Sequence, residues 1–141
     1  MRILVINGPN LNMLGIREKE IYGTETYDDL VKYILRYQEI YNSQIEIFQY
    51  NGEGQIIDKI QEAYFMKVDA IIINPGAYTH YSYAIRDALL AVNIRTIEVH
   101  LSDISKRDEF RKHSVITDVC EKSFFGKKFH SYGEAIDYLH Q

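Results

Sequence analysis

Four short, nearly continuous apolar runs, rich in β-branched residues, recur along the chain: Ile3–Ile6, Ile45–Phe48, Ala70–Ile73 and Thr96–Val99. Such runs suit strands covered on both faces, the hallmark of a parallel sheet sandwiched between helices. The stretches between them repeat at helical spacing. Leu30, Ile34, Tyr37 and Tyr41 share one face, as do Ile56, Ile60, Ala63 and Tyr64, and then Ala84, Ile85, Ala88, Leu89 and Val92. Thr26 with Asp29 resembles a capping box, and Ser131 with Glu134 reads as another, opening a last helix through Ile136 and Leu139. The fifth strand is either Val115–Cys120 or Lys122–Phe125, and periodicity does not choose between them.

Strand–helix alternation implies one open parallel sheet with right-handed crossovers. The expected architecture is α/β, a flavodoxin-like three-layer sandwich with five parallel strands in the order 2-1-3-4-5, forming a single catalytic domain over residues 1–141. Ligands of such sheets bind at the carboxyl ends of the strands, beside the switch point. The longest non-periodic stretch, Asn7 to Glu25, follows the first strand directly, and loops of that length inside a compact domain are usually functional.

Composition narrows the function. A net charge of −4 with interleaved acids and bases offers no basic footprint for nucleic acid or an anionic membrane. The lone Cys120 forbids an intramolecular disulfide and suits a reducing compartment. The opening apolar run is too short for a signal sequence or a bilayer span, so the expected location is cytoplasmic. There is no GxGxxG, no P-loop and no Gly-x-Ser-x-Gly elbow, and the five histidines lack short metal spacing. General acid–base chemistry without a cofactor remains.

Polar clusters close three strands: Asn7-Gly8-Pro9-Asn10-Leu11-Asn12, Asn74-Pro75-Gly76-Ala77-Tyr78-Thr79-His80 and Glu98-Val99-His100-Leu101-Ser102-Asp103. Singly, each is ordinary turn chemistry, and a tyrosine among twelve usually packs. Together they converge where a ligand would sit. With Leu14-Gly15-Ile16-Arg17, Ile21-Tyr22-Gly23, Arg86-Asp87-Ala88 and Phe110-Arg111-Lys112-His113-Ser114, they make a pattern that resembles type II 3-dehydroquinate dehydratase over nearly the whole chain.

That resemblance implies dehydration of 3-dehydroquinate to 3-dehydroshikimate, for aromatic biosynthesis or quinate breakdown, by a carbon–oxygen lyase needing neither metal nor Schiff base. It implies self-association as trimers grouped into dodecamers. The catalytic base falls on Tyr22 and the general acid on His100. Arg17 matches the arginine that activates the base, and Asn10 the group holding a water against the enolate oxygen. Substrate-binding positions fall on Asn74, His80, Leu101, Ser102 and Arg111, and Asp87 matches an acid supplied by a neighbouring subunit. The fifth strand falls on Lys122–Phe125. Tyr50, Gly52, Tyr81 and Asp103 depart from the family's usual residues, and the extra charge of Asp103 is expected to weaken substrate binding.

The residue types suit the reaction. Removing a proton beside a ketone needs a base, and tyrosine titrates near 10 unless its phenolate is stabilised. A guanidinium at about 4 Å, in an effective dielectric of about 20, is worth about 4 kcal/mol, or about three pH units. That brings the Tyr22 phenolate into the neutral range. An unperturbed histidine titrates near 6.5 and can protonate the departing hydroxyl. The backbone N–H groups of Leu101 and Ser102 suit a carboxylate. A phosphoryl-accepting receiver would need acids after the first strand and an aspartate ending the third, where Asn7, Asn10 and Asn74 stand. A flavin carrier would need a hydroxyl-rich phosphate loop after the first strand, which is missing. A binding protein that has lost catalysis fits the four departures, but the base, acid and arginine positions are intact.

Overall fold

The computed structural model describes residues 1–16, 20 and 23–141. Five parallel strands, β1 (Arg2–Asn7), β2 (Gln44–Gln49), β3 (Ala70–Asn74), β4 (Arg95–His100) and β5 (Lys122–Phe125), form one sheet in the order β2-β1-β3-β4-β5. The expected flavodoxin-like order is the observed one.

Both faces of this sheet are covered. Helices α1 (Tyr27–Tyr41) and α5 (His130–Leu139) lie on one side, where Ile3, Val5 and Ile72 meet Leu30, Ile34 and Ile136. Helices α2 (Glu53–Phe65) and α3 (Tyr83–Val92) lie on the other, where Leu4, Ile6, Ile71 and Ile73 meet Ile56, Ile60, Ile85 and Leu89. Alternate residues of β1 and β3 feed the two cores, which is why those strands read as unbroken apolar runs. Burying a side chain such as Ile72 contributes about 1.5–3 kcal/mol. A short helix, α4 (Glu109–Lys112), stands apart from both layers.

The Thr26 capping box forms in full: Asp29 N–H donates to Thr26 Oγ1 at 3.2 Å, and Thr26 N–H to Asp29 Oδ2 at 2.9 Å. The one read at Ser131 does not. Helix α5 begins one residue earlier, at His130, and the buried Ser131 hydroxyl instead accepts from Lys127 N–H at 3.1 Å. Two residues placed on apolar helix faces, Tyr64 and Ala84, are exposed. The ambiguity over the fifth strand resolves to Lys122–Phe125. Val115 and Ile116 are buried as part of the second core but lead into a 3-10 turn, Thr117–Val119, rather than a ladder.

Candidate active site

Strand register brings the polar clusters together. Asn7 lies opposite Asn74 across β1 and β3, and His100 ends β4 two residues after Glu98. Gly8 follows β1 so closely against the next loop that a Cβ there would sit 2.5 Å from the Pro75 carbonyl oxygen, and its N–H donates to Asn74 O at 2.7 Å. Gly76, in the left-handed region at φ 60°, packs its Cα side against Pro9. These two glycines let the loops after β1 and β3 interlock.

Beside them opens a cleft of about 390 Å³. Its walls include Asn10, Asn74, His80, His100, Leu101 and Ser102, with Arg111 arriving from α4. Seven of the ten expected site residues therefore meet in one cavity at the carboxyl edge of the sheet. Asp87 does not: it stands exposed on α3, away from those walls. Arg17 and Tyr22 lie outside the described residues, as does most of the stretch from Arg17 to Tyr22. That stretch is flanked by Gly15 at φ 82° and Gly23 at φ 81°, conformations glycine adopts without steric cost.

Asn10 also has a left-handed backbone, φ 69°, which asparagine tolerates better than most residues. Its N–H donates to Asn51 Oδ1 at 3.1 Å, tying the β1 loop to the end of β2. His80 donates from Nδ1 to the His113 carbonyl at 2.8 Å, since a carbonyl can only accept, and its Nε2 keeps a lone pair. Burial pushes its pKa down; the His113 bond opposes this, and the charges of Arg111, His100 and Arg107 add to it. Burial thus favours the neutral form of His80.

His100 is 5% exposed and gives its Nε2 proton to Glu98 Oε2 at 2.7 Å. Glu98 is itself 1% exposed, in the middle of the sheet. Its carboxylate also accepts from Ser114 Oγ at 2.6 Å, Thr117 Oγ1 at 2.6 Å and Ser123 Oγ at 2.9 Å. Thr79 Oγ1 lies 3.2 Å from the same carboxylate and 2.6 Å from Ser114 Oγ, so its single proton is shared between them. Burial alone would raise the Glu98 pKa; the hydrogen bond and charge of His100, with the Ser114 and Thr117 hydroxyls, hold it down at about 2. An ionised carboxylate this deep calls for a compensating cation. With Nε2 committed to Glu98, the ring can donate toward the cleft only from Nδ1, and only as the imidazolium that Glu98 stabilises. The geometry suits a general acid.

Glu98 and Arg107 are the groups the sequence reading missed. A signal for Glu98 was present: an acid inside the apolar run Thr96–Val99 must be paired or costly. Arg107, a further cleft-lining cation, had none beyond its place in a charged stretch. With Arg111 it makes the cleft electropositive, as an anionic ligand requires. Asp103, the departure expected to oppose such a ligand, turns its carboxylate to Ser105 instead, accepting from the backbone N–H at 3.0 Å and from Oγ at 2.5 Å. Those bonds, the hydroxyl's first, lower its pKa. Among the described residues no three His, Cys, Asp or Glu side chains come together as a metal site would require, and no helix is long and apolar enough to cross a membrane.

Comparison with known proteins points the same way. The family model for dehydroquinase class II matches residues 1–140. The 3-dehydroquinate dehydratase of Caldicellulosiruptor bescii is 61% identical over 131 residues, 93% of this chain and 90% of that protein. The crystal structure of type II dehydroquinase from Butyrivibrio crossotus superposes with a TM-score of 0.98 at 58% identity, covering 100% of this chain and 98% of that one. The type II dehydroquinase of Propionibacterium acnes gives a TM-score of 0.92 at 39% identity, covering 97% and 94% of the two chains.

Proposed function

Because the chain belongs to the class II dehydroquinase family, we propose that its cleft takes 3-dehydroquinate and removes water from it through an enolate, with Tyr22 as base, Arg17 as activator of that base and His100 as general acid. The observation that carries this reading is the buried His100–Glu98 pair, which presents an imidazole able to deliver a proton at the wall of an electropositive cavity.

The Tyr22 phenolate takes the proton beside the ketone, and the electron pair moves onto the carbonyl oxygen. A water held by Asn10 hydrogen-bonds to that oxygen, where charge develops. The enolate then collapses, breaking the carbon–oxygen bond, and the leaving hydroxyl takes a proton from the His100 imidazolium and departs as water. Asn74, His80, Leu101, Ser102 and Arg111 hold the substrate. Asp87, exposed on its own protomer, serves the site of a neighbouring subunit, in cytoplasmic trimers that group into dodecamers. Each chain acts as a single catalytic domain.

The chemistry needs no amine nucleophile, and none of the described residues lining the cleft is a lysine. Activity toward 3-dehydroquinate should therefore survive borohydride added together with substrate, and survive prolonged dialysis against a chelator. Inactivation by borohydride only when substrate is present would reveal a Schiff base and overturn the enolate route.

A further inference from the structure

Beneath the cleft floor runs a line of four side chains, of which only the first, Asn74, has a part in the steps above. Asn74 Nδ2 donates to Tyr132 Oη at 2.9 Å, Tyr132 Oη donates to Asn7 Oδ1 at 2.6 Å, and Asn7 Nδ2 donates to Tyr27 Oη at 3.3 Å. Tyr132 and Asn7 are 0% exposed and Asn74 is 3% exposed. Tyr132 reaches this point from α5, on the apolar side of the sheet where Ile136 and Leu139 fill the core. An aliphatic side chain would satisfy that core at lower desolvation cost.

The line has only one polarity. Gly76 N–H donates to Asn74 Oδ1 at 3.2 Å, so turning the amide over would set N–H against N–H. With Oδ1 held by Gly76, the Asn74 amide nitrogen must face Tyr132, whose hydroxyl then accepts from it and passes its own proton to Asn7. Burial pushes the Tyr132 hydroxyl pKa well up, so that proton stays in place throughout the working pH range. One N–H of Asn74 is left over, on a residue that lines the cleft.

We infer that Tyr132 is a positioning residue: together with Gly76 it locks the Asn74 amide so that the cleft meets an N–H donor, selecting for an acceptor atom of the substrate at that point. Asn7 and Tyr27 extend the lock by giving the Tyr132 proton a fixed destination. This inference rests on the assignment of Asn74 to substrate binding.

The test is Tyr132→Phe, which removes one oxygen and leaves the ring's packing in place. The KM for 3-dehydroquinate should rise about tenfold, the equivalent of one oriented hydrogen bond, with kcat within about threefold and both limbs of the pH profile unmoved. In an Asn74→Ala background the same substitution should leave KM unchanged, because there is no amide to orient. A purely structural tyrosine would raise KM by the same factor in both backgrounds, and that result, or an unchanged KM in the single variant, would overturn the proposal. Tyr27→Phe, at the half-buried far end of the line, provides the same comparison if Tyr132→Phe does not fold, with an expected increase of about twofold that likewise vanishes in the Asn74→Ala background. Turnover by the unsubstituted enzyme reports separately on the reaction itself.

Discussion

Tyr22→Phe is expected to lower kcat by about a thousandfold or more while leaving ligand binding largely intact, because only the hydroxyl that takes the proton is lost. Arg17→Lys should also be severe, since an ammonium does not reproduce the planar, multi-donor guanidinium. If the arginine works by stabilising the phenolate, the two residues act as one unit. The double variant should then be little worse than the poorer single one. The pH profile supplies the sign. The base must be ionised, so the acidic limb reports its titration, and Arg17→Ala should move that limb upward as the tyrosine returns toward 10. Fully additive losses with an unmoved acidic limb would show that Arg17 does something other than activate Tyr22.

Glu98→Gln should be nearly as damaging at the other end of the reaction. It removes the charge that stabilises the His100 imidazolium and sets an amide NH2 among three hydroxyls that now donate to a carboxylate. We expect kcat to fall by roughly 10²–10³-fold, the size of a general acid's contribution. Stability should change in step. A carboxyl held at about 2 rather than an ordinary 4.5 contributes about 3 kcal/mol above the unfolded value, and that contribution is lost as pH falls from 4.5 toward 2. The variant should accordingly show a flatter stability curve across that interval. Wild-type kcat in the variant would mean that Glu98 takes no part in proton delivery by His100.

What could be read from the sequence follows the physics of burial. Strands β1 and β3 were legible because both of their faces are buried, so their residues are apolar regardless of side, and β2 and β4 were legible from their β-branched residues despite Glu46 and Glu98. Strand β5 was not, because it is a short, half-exposed edge, while Val115 and Ile116 look like a strand only because they are buried in a turn. Ser131 has the spacing of an N-cap but uses its hydroxyl on Lys127, one turn outside the helix, a choice set by the loop's path rather than by local pattern. The site divides similarly. Its cleft residues were legible as polar clusters at strand ends, but the roles of Tyr22, Arg17 and Asp87 came from the family likeness alone. Glu98 was visible as an acid in an apolar strand, yet apart from His100 on the same strand its partners come from three separate segments, at Thr79, Ser114–Thr117 and Ser123, which only the fold assembles. Tyr132 carried no signal, since a tyrosine that packs and one that hydrogen-bonds share the same helical spacing.

The most direct measurement is an ultraviolet assay with 3-dehydroquinate, which follows the conjugated enone created when water is lost. Dehydration dependent on His100 requires a steady rise in absorbance with the unsubstituted protein and almost none with His100→Ala at the same concentration. No rise at substantial protein concentration, or an undiminished rise without His100, would contradict it.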